Sequence, residues 1–455
     1  MITIKKIIEW MLTEVVRLNL GPTFASRYMY IISTLQYGCY SYCFQDFKIP
    51  CKEIPIYKNV KMSSSYHNFL PLFYYGVKKF YKFHSYDITS LTELYDINKW
   101  KYELNIQSNK KILNLIDIFL EFRNNDGWKD ANALPSEYNF NQTFIDINTS
   151  QSLDTILSNI YNWTPIKEKD GSIQSYLTPS WGKIVSIIEY NTYNYKNIVN
   201  INYPNPMERM IEIDSLVDLY NRIGEKEKMI AELYAGGKGT VTPPGMWNIF
   251  ALYVSNYLDT EIHSVELFYL LNSILFQTSI IVWDIKMNFN QSRPIQDIRI
   301  RHSENIVSNG IINVQGNIWT PYLKTPPFPD YISGHSTFSS AAAYLFEHYY
   351  KVDIKKVQSI FSNKHLTLFS PIFESPYRMP SQCGNIYIPK RSSLIQSSFP
   401  SCMIELYYNS WDELAKDCGM SRVYGGIHTM SSNIVGSLIG KEITKNVLES
   451  KNITI

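Results

Sequence analysis

The chain predicts an all-α protein, and three observations lead there. Apolar residues recur at helical spacing through eight segments, strand-like alternation is scarce and short, and 45% hydrophobic against 18% charged residues describes an ordinary folded core. In order, the periodicity predicts helices over Glu9 to Arg17, Ser26 to Tyr42, Lys110 to Phe122, Met207 to Tyr234 and Trp247 to Trp283. It then predicts Ser336 to Lys351, Trp411 to Cys418 and Met430 to Leu448. The span from about 162 to 206 is rich in Tyr, Asn, Pro and Gly and reads as a long irregular connection. A soft boundary there divides an N-terminal helical half, 1–205, from a C-terminal helical half, 206–455. The length suits several domains or one large two-lobed one.

Composition narrows the function classes. A net charge of +2 makes no case for nucleic acid or an acidic membrane, so any cations that matter act locally. The six cysteines (Cys39, Cys43, Cys51, Cys383, Cys402 and Cys418) form no paired C-x-x-C array, which argues against structural zinc and for free thiols in a cytoplasmic protein. The N-terminal segment is broken by Glu9, Glu14 and Arg17 and is not a secretory signal. Without secretion the sequon Asn141-Gln142-Thr143 carries no meaning. The longest apolar stretch, Val265 to Trp283, contains Glu266, Asn272, Ser273, Gln277 and Thr278, so it reads as a buried helix and not a membrane span. Gly236-Gly237-Lys238-Gly239-Thr240 looks like a phosphate loop, but Glu232 and Gly239 stand where a Walker A motif needs Gly and Ser or Thr.

Three short motifs in the last part of the chain carry the chemistry. Lys286 and Arg293 are seven residues apart, which on one helix sets them on a common face, with Pro294 marking its end or a kink. An Arg fork and a Lys point charge suit an oxyanion, although alone the pair also fits a solvated basic face. Ser333-Gly334-His335-Ser336 follows the non-helical Pro326-Pro327-Phe328-Pro329 and opens a helix, where free amides and the macrodipole attract an anion. Gly334 lets the backbone approach, Ser333 adds a hydroxyl donor, and His335 can move a proton; an ordinary N-cap beside a surface His fits equally well. Ser421-Arg422 is followed after three residues by Gly426 and then, one residue on, by His428, again just before a helix. Arg422 would brace an anion whose central atom meets His428, unless the stretch is a glycine loop with a structural His. Together the motifs specify a site for a tetrahedral oxyanion.

In this order the motifs resemble the signature of the type 2 phosphatidic acid phosphatase superfamily, which includes the vanadium-dependent haloperoxidases. Trp283-Asp284-Ile285-Lys286 looks like the haloperoxidase Trp-x-x-Lys opening, and Phe328-Pro329-Asp330-Tyr331 is similar to their approach to the same serine. Gly21 to Arg27, Thr178 to Gly182 and Thr242 to Trp247 extend the likeness upstream. The resemblance implies two four-helix bundles with long irregular loops and a site at one end of a bundle. It implies that Lys286, Arg293, Ser333, Gly334 and Arg422 hold the oxygens of vanadate, with His428 as the single protein ligand to vanadium. His335 would be the acid–base group, and Trp283 and Phe328 would wall the halide's approach or serve as plain core. The implied partners are hydrogen peroxide, a halide and a small organic acceptor, with no nucleic acid and no membrane span; the resemblance also implies a homodimer.

This chain departs from the family pattern at Met246, where a His often follows Pro-Pro-Gly, and at Ile332, where Pro is often seen. Ser432 stands where an acidic residue commonly follows the last His. A soluble phosphatase on the same scaffold is the alternative. It would need no cofactor, with His428 attacking phosphorus to form a phosphohistidine and His335 protonating the leaving oxygen. A non-catalytic oxyanion-binding protein is a third reading, against which the paired histidines argue.

Overall fold

A computed structural model describes residues 2–44, 49, 51–55, 66–91, 106–134, 144–150, 161–188, 192–237, 239–258, 260–357, 368–373 and 385–453. Its helices are α1 (Ile2–Arg17), α2 (Pro22–Phe44), α3 (Tyr66–His84), α4 (Ile106–Asn124), α5 (Thr192–Ile201), α6 (Pro206–Tyr220) and α7 (Glu225–Leu233). They continue with α8 (Thr242–Val254), α9 (Glu261–Phe289), α10 (Pro294–Arg301), α11 (Gly334–Tyr344), α12 (Trp411–Tyr424) and α13 (Met430–Ser450). Strands among the described residues form three two-stranded pairs. The first is parallel (Ile145–Asp146 with Ile166–Lys167); the other two are antiparallel (Ile306–Ser308 with Asn313–Gln315, and Asn385–Ile388 with Ile404–Tyr407).

Sequence explains most of this. In α1, Ile4, Ile7, Ile8, Met11, Leu12 and Val15 are buried at spacings of three and four, so one stripe faces inward. Each such side chain contributes about 1.5–3 kcal/mol. The first bundle is built on α2, which packs against α1, α3, α4 and α8. The second is formed by α9, α11, α12 and α13. Helix α9 lies against both α2 and α11, which makes it the seam of the molecule.

That position explains its composition. By length and hydropathy α9 could cross a membrane, yet its apolar stretch is wholly buried inside the fold. Several of its buried polar groups are matched within the protein. Asn272 and Asn248 exchange amide hydrogen bonds of 2.8 and 2.9 Å, and Gln277 Oε1 accepts from Ser186 Oγ at 2.7 Å. The expectation of a buried core helix thus holds.

Several boundaries differ from expectation. The helix expected over Met207 to Tyr234 is two, because Gly224 is extended (φ −98°) and caps α7 together with Glu227. Trp247 to Trp283 is likewise split, with Thr260 starting α9 by accepting from the His263 amide. Helix α11 ends at Tyr344 and runs into one π-helical turn, Leu345–Tyr349. Helices α3, α5 and α10 were not expected, and α5 lies within the span read as irregular. Cys39, Cys43, Cys51, Cys402 and Cys418 are free thiols. Cys383, Lys238 and the sequon at 141–143 lie outside the described residues.

One packing detail sets the position of the site. Added Cβ atoms would meet Ser333 O at 2.8 Å from Gly436 and Thr337 O at 2.3 Å from Gly440. Glycine four residues apart therefore lets α13 press its backbone onto α11. The two helix starts, and the loops feeding them, are brought together at one end of the second bundle.

Candidate active site

The first motif converges by a different route from the one its spacing implies. Lys286 and Arg293 do not share a helix. Helix α9 stops at Phe289, Asn290 turns left-handed (φ 43°, ψ 36°), and Arg293 is the extended residue before α10, with Pro294 at its first position. Both cations nevertheless face the Phe328 ring, with Lys286 Nζ 5.2 Å and Arg293 Cζ 5.1 Å from its centroid. Lys286 Nζ donates to the carbonyls of Pro329 (2.8 Å) and Asp330 (2.9 Å). Arg293 Nε donates to Phe328 O at 2.7 Å and its Nη1 to Ile427 O. Burial pushes the Lys286 ammonium well below its ordinary value, reinforced by Arg293 and opposed by Asp330.

Ser333 is the N-cap of α11, as its position after the proline run predicts, and its hydroxyl accepts from the Ser336 amide at 3.4 Å. Gly334 and His335 occupy the first turn. Arg422 comes from the last turn of α12 and donates through Nη1 to Tyr234 O at 3.2 Å. His428 follows Gly426, whose φ of +73° turns the chain toward α13.

A cavity of about 730 Å³ opens onto this cluster. Trp283, Phe328, Gly334, His335, Arg422 and His428 line it; Lys286, Arg293 and Ser333 lie buried behind that lining. Trp283 and Phe328 meet with ring centroids 5.1 Å apart, and Trp283 Nε1 is held by Leu177 O at 3.0 Å. The loop Ala235-Gly236-Gly237, which is no Walker A motif, forms another part of the wall. A Cβ on Gly236 would stand 3.2 Å from His335 Nε2.

The protonation of His428 follows from its neighbours. Nδ1 meets a carboxylate oxygen of Asp330, which can only accept, so Nδ1 carries the proton. Nε2 lies 3.1 Å from Arg293 Nη1, which can only donate, so Nε2 offers its lone pair. Burial, then the Arg293 charge, keeps the ring neutral by lowering its pKa well below the usual value, against the pull of Asp330. Burial likewise lowers His335, helped by Arg422 and His428, while backbone hydrogen bonds to Ala235 and Tyr234 oppose the shift.

At this site three buried nitrogens have no hydrogen-bond partner among the described residues: Arg293 Nη2, Arg422 Nε and His335 Nε2. Two belong to guanidiniums that burial pushes down, Arg293 to about 9 and Arg422 to about 10. Buried donors without partners cost about 1–3 kcal/mol each, so their recurrence at one place needs a reason.

Sequence reading missed two residues behind His428. Asp330 is wholly buried, and Arg209, from α6, donates to it through Nη1 at 3.0 Å. Arg209 also grips Asp297 through Nε (3.0 Å) and Nη2 (2.7 Å), and donates to Ser292 O (2.8 Å) and Thr429 Oγ1 (2.8 Å). A single Arg far along the chain leaves no motif. Asp330 was visible only as part of the approach to Ser333.

Comparison with known proteins agrees with this architecture. Residues 266–454 match the family described as the VCPO second helical-bundle domain. The apo form of a bacterial vanadium-dependent chloroperoxidase has a TM-score of 0.69 over 95% of both chains at 16% identity. The holo form gives 0.68 over 95% of this chain and 93% of that one at 14% identity. A structure described as the first bacterial vanadium-dependent iodoperoxidase gives 0.63 over 98% and 96% at 16% identity. No curated protein matches by sequence. The fold is that of the vanadium haloperoxidases.

Proposed function

We propose that the chain is a vanadate-dependent haloperoxidase that oxidises a halide with hydrogen peroxide and passes the halogen to a small organic acceptor. The observation that carries the reading is the set of orphaned nitrogens on Arg293, Arg422 and His335, gathered around the bare Nε2 of His428. Among the described residues no group of His, Cys, Asp and Glu could hold a metal ion. Cations, a helix N-terminus and one histidine fit a metal that arrives as an oxyanion.

In that reading Lys286, Arg293, Ser333, Gly334 and Arg422 hold the anion's oxygens, and His428 Nε2 meets the central atom. Bound vanadate would supply Lewis-acid activation of peroxide for oxygen transfer to the halide. His335 Nε2, neutral and unpartnered, takes a proton from peroxide and returns it as product leaves. Trp283 and Phe328 present apolar surface to the halide and keep water from the anion's flank.

The same donor set and the unprotonated His428 Nε2 suit phosphoryl transfer, so one assay must separate the two. Orthovanadate, peroxide and bromide with a halogenation indicator form one arm, and a phosphomonoester without vanadate the other. Vanadate-dependent halogenation that vanishes in His428→Ala supports the proposal. Phosphate release that vanadate inhibits, with no halogenation, would make the protein a phosphatase.

A further inference from the structure

We infer that Asp330 is the positioning residue that fixes the His428 ring, taking the place of an acidic residue missing from the His428 helix. The inference rests on the reading that His428 Nε2 meets the central atom of a bound oxyanion. One turn after His428 stands Ser432, whose Oγ is 3.1 Å from Nδ1, and the first acidic residue of α13 is Glu442. Ser432 Oγ gives its one proton to the Asp330 carbonyl, so toward Nδ1 it can only accept, as an uncharged and therefore weaker partner. Asp330 reaches the same nitrogen from the loop before α11, and a carboxylate holds it more strongly.

The geometry separates this role from an ordinary buried ion pair. A structural aspartate beside a buried arginine usually takes both prongs of the fork. Here the fork of Arg209, Nε and Nη2, goes to Asp297. Asp330 receives only Nη1, on Oδ2, and keeps Oδ1 for His428. Oδ2 is further fixed by the amide and hydroxyl of Thr429 at 3.3 and 3.2 Å. The carboxylate therefore cannot rotate without breaking charge-assisted bonds.

The main chain of Asp330 is engaged as well. Its N–H donates to Gln291 O at 3.1 Å. Its carbonyl accepts from Lys286 Nζ at 2.9 Å and from Ser432 Oγ at 3.0 Å. One residue thus ties α9, the loop after it, α6 and the start of α13 to the approach to Ser333. Partners of this kind behind a metal-binding histidine are worth about 10–100-fold in affinity or activity.

Asp330→Asn is the informative variant. Arg209 and the Thr429 amide can only donate toward the old Oδ2 position, so they draw the amide oxygen there. That turns the amide NH2 toward the Nδ1 proton while Arg293 Nη1 still faces Nε2, so one of these contacts must break and the ring loses its fixed placement. Histidine-selective 15N NMR on the anion-free protein reads this directly, with the His428 signal identified by its loss in His428→Gln. Wild type should show Nδ1 protonated and Nε2 bare, and Asp330→Asn a departure from that single tautomer. Vanadate affinity, followed by calorimetry, should fall about 10–100-fold in the variant.

A wild-type spectrum with the proton on Nε2 overturns the inference, even if Asp330→Asn fails to fold. So does a folded Asp330→Asn with unchanged tautomer and affinity. A wild-type protein that carries the Nδ1 proton yet binds no vanadate would support the role of Asp330 and defeat the oxyanion reading.

Discussion

His428 stands between two buried regions that both contain arginine, and they are built in opposite ways. Behind the ring, Arg209 is matched by Asp297 and Asp330 and by the Ser292 carbonyl, and these partners raise its pKa despite burial. In front, Arg293 and Arg422 are lowered by burial, and each keeps a nitrogen with no partner among the described residues. Burial of charge alone therefore says little about function. What distinguishes the cavity base is charge left unmatched, where an arriving anion would complete the hydrogen bonds. On the proposed reading, breaking the rear network destabilises the protein, whereas the front set is unmatched charge that binding an anion would complete.

That contrast can be broken by substitution. Arg209→Met strands two buried carboxylates and should cost about 3–5 kcal/mol in urea unfolding. A loss below about 1 kcal/mol would show that the rear network is not structural. Arg293→Met should cost less stability than Arg209→Met, because relief of a buried charge without a paired carboxylate offsets the loss of its bonds to Phe328 O and Ile427 O. In the vanadate-loaded enzyme the same variant should lower kcat about 10²–10³-fold. Similar stability losses in both variants would erase the distinction between the two regions.

Acidity sharpens the comparison next. Folding holds the pKa values of His335 and His428 well below the usual value. Below the unfolded pKa of about 6.5 the unfolded chain binds more protons, so stability is full above that pH and is lost as pH falls through it. The slope should approach about 1.4 kcal/mol per pH unit for each histidine. Urea midpoints at several pH values should show a shallower acid loss in His335→Gln. Saturating phosphate should also flatten the wild-type curve by favouring protonated rings; identical slopes throughout would contradict the pKa shifts. The smallest effect belongs to the rim. Lys324 is 75% exposed and meets Glu168 at 3.2 Å, so Lys324→Gln should change stability by less than about 0.5 kcal/mol.

Much of the site was legible because each motif carries its own local geometry. A proline run before Ser333 forces a helix start, and Gly426 forces the turn before His428. The Lys286–Arg293 spacing misled, since helical phase assumes a helix that continues; Asn290 in the left-handed region and Pro294 were the signals that it ends. Asp330 and Arg209 are 121 positions apart and meet only after α6 docks, so no window along the chain contains their relation. The division of Trp247 to Trp283 was hidden because both pieces are apolar and only Thr260 marks the break. The merging of α6 and α7 came from overlooking Gly224 as a stop.

The most direct test of unmatched charge as the basis of the site is calorimetric titration of orthovanadate into the anion-free protein and into Arg293→Met. The account predicts one anion per wild-type chain, displaced by phosphate, and binding at least about a hundredfold weaker in a variant that stays folded. Wild-type protein that binds neither anion, or a variant that binds as tightly as wild type, would contradict it.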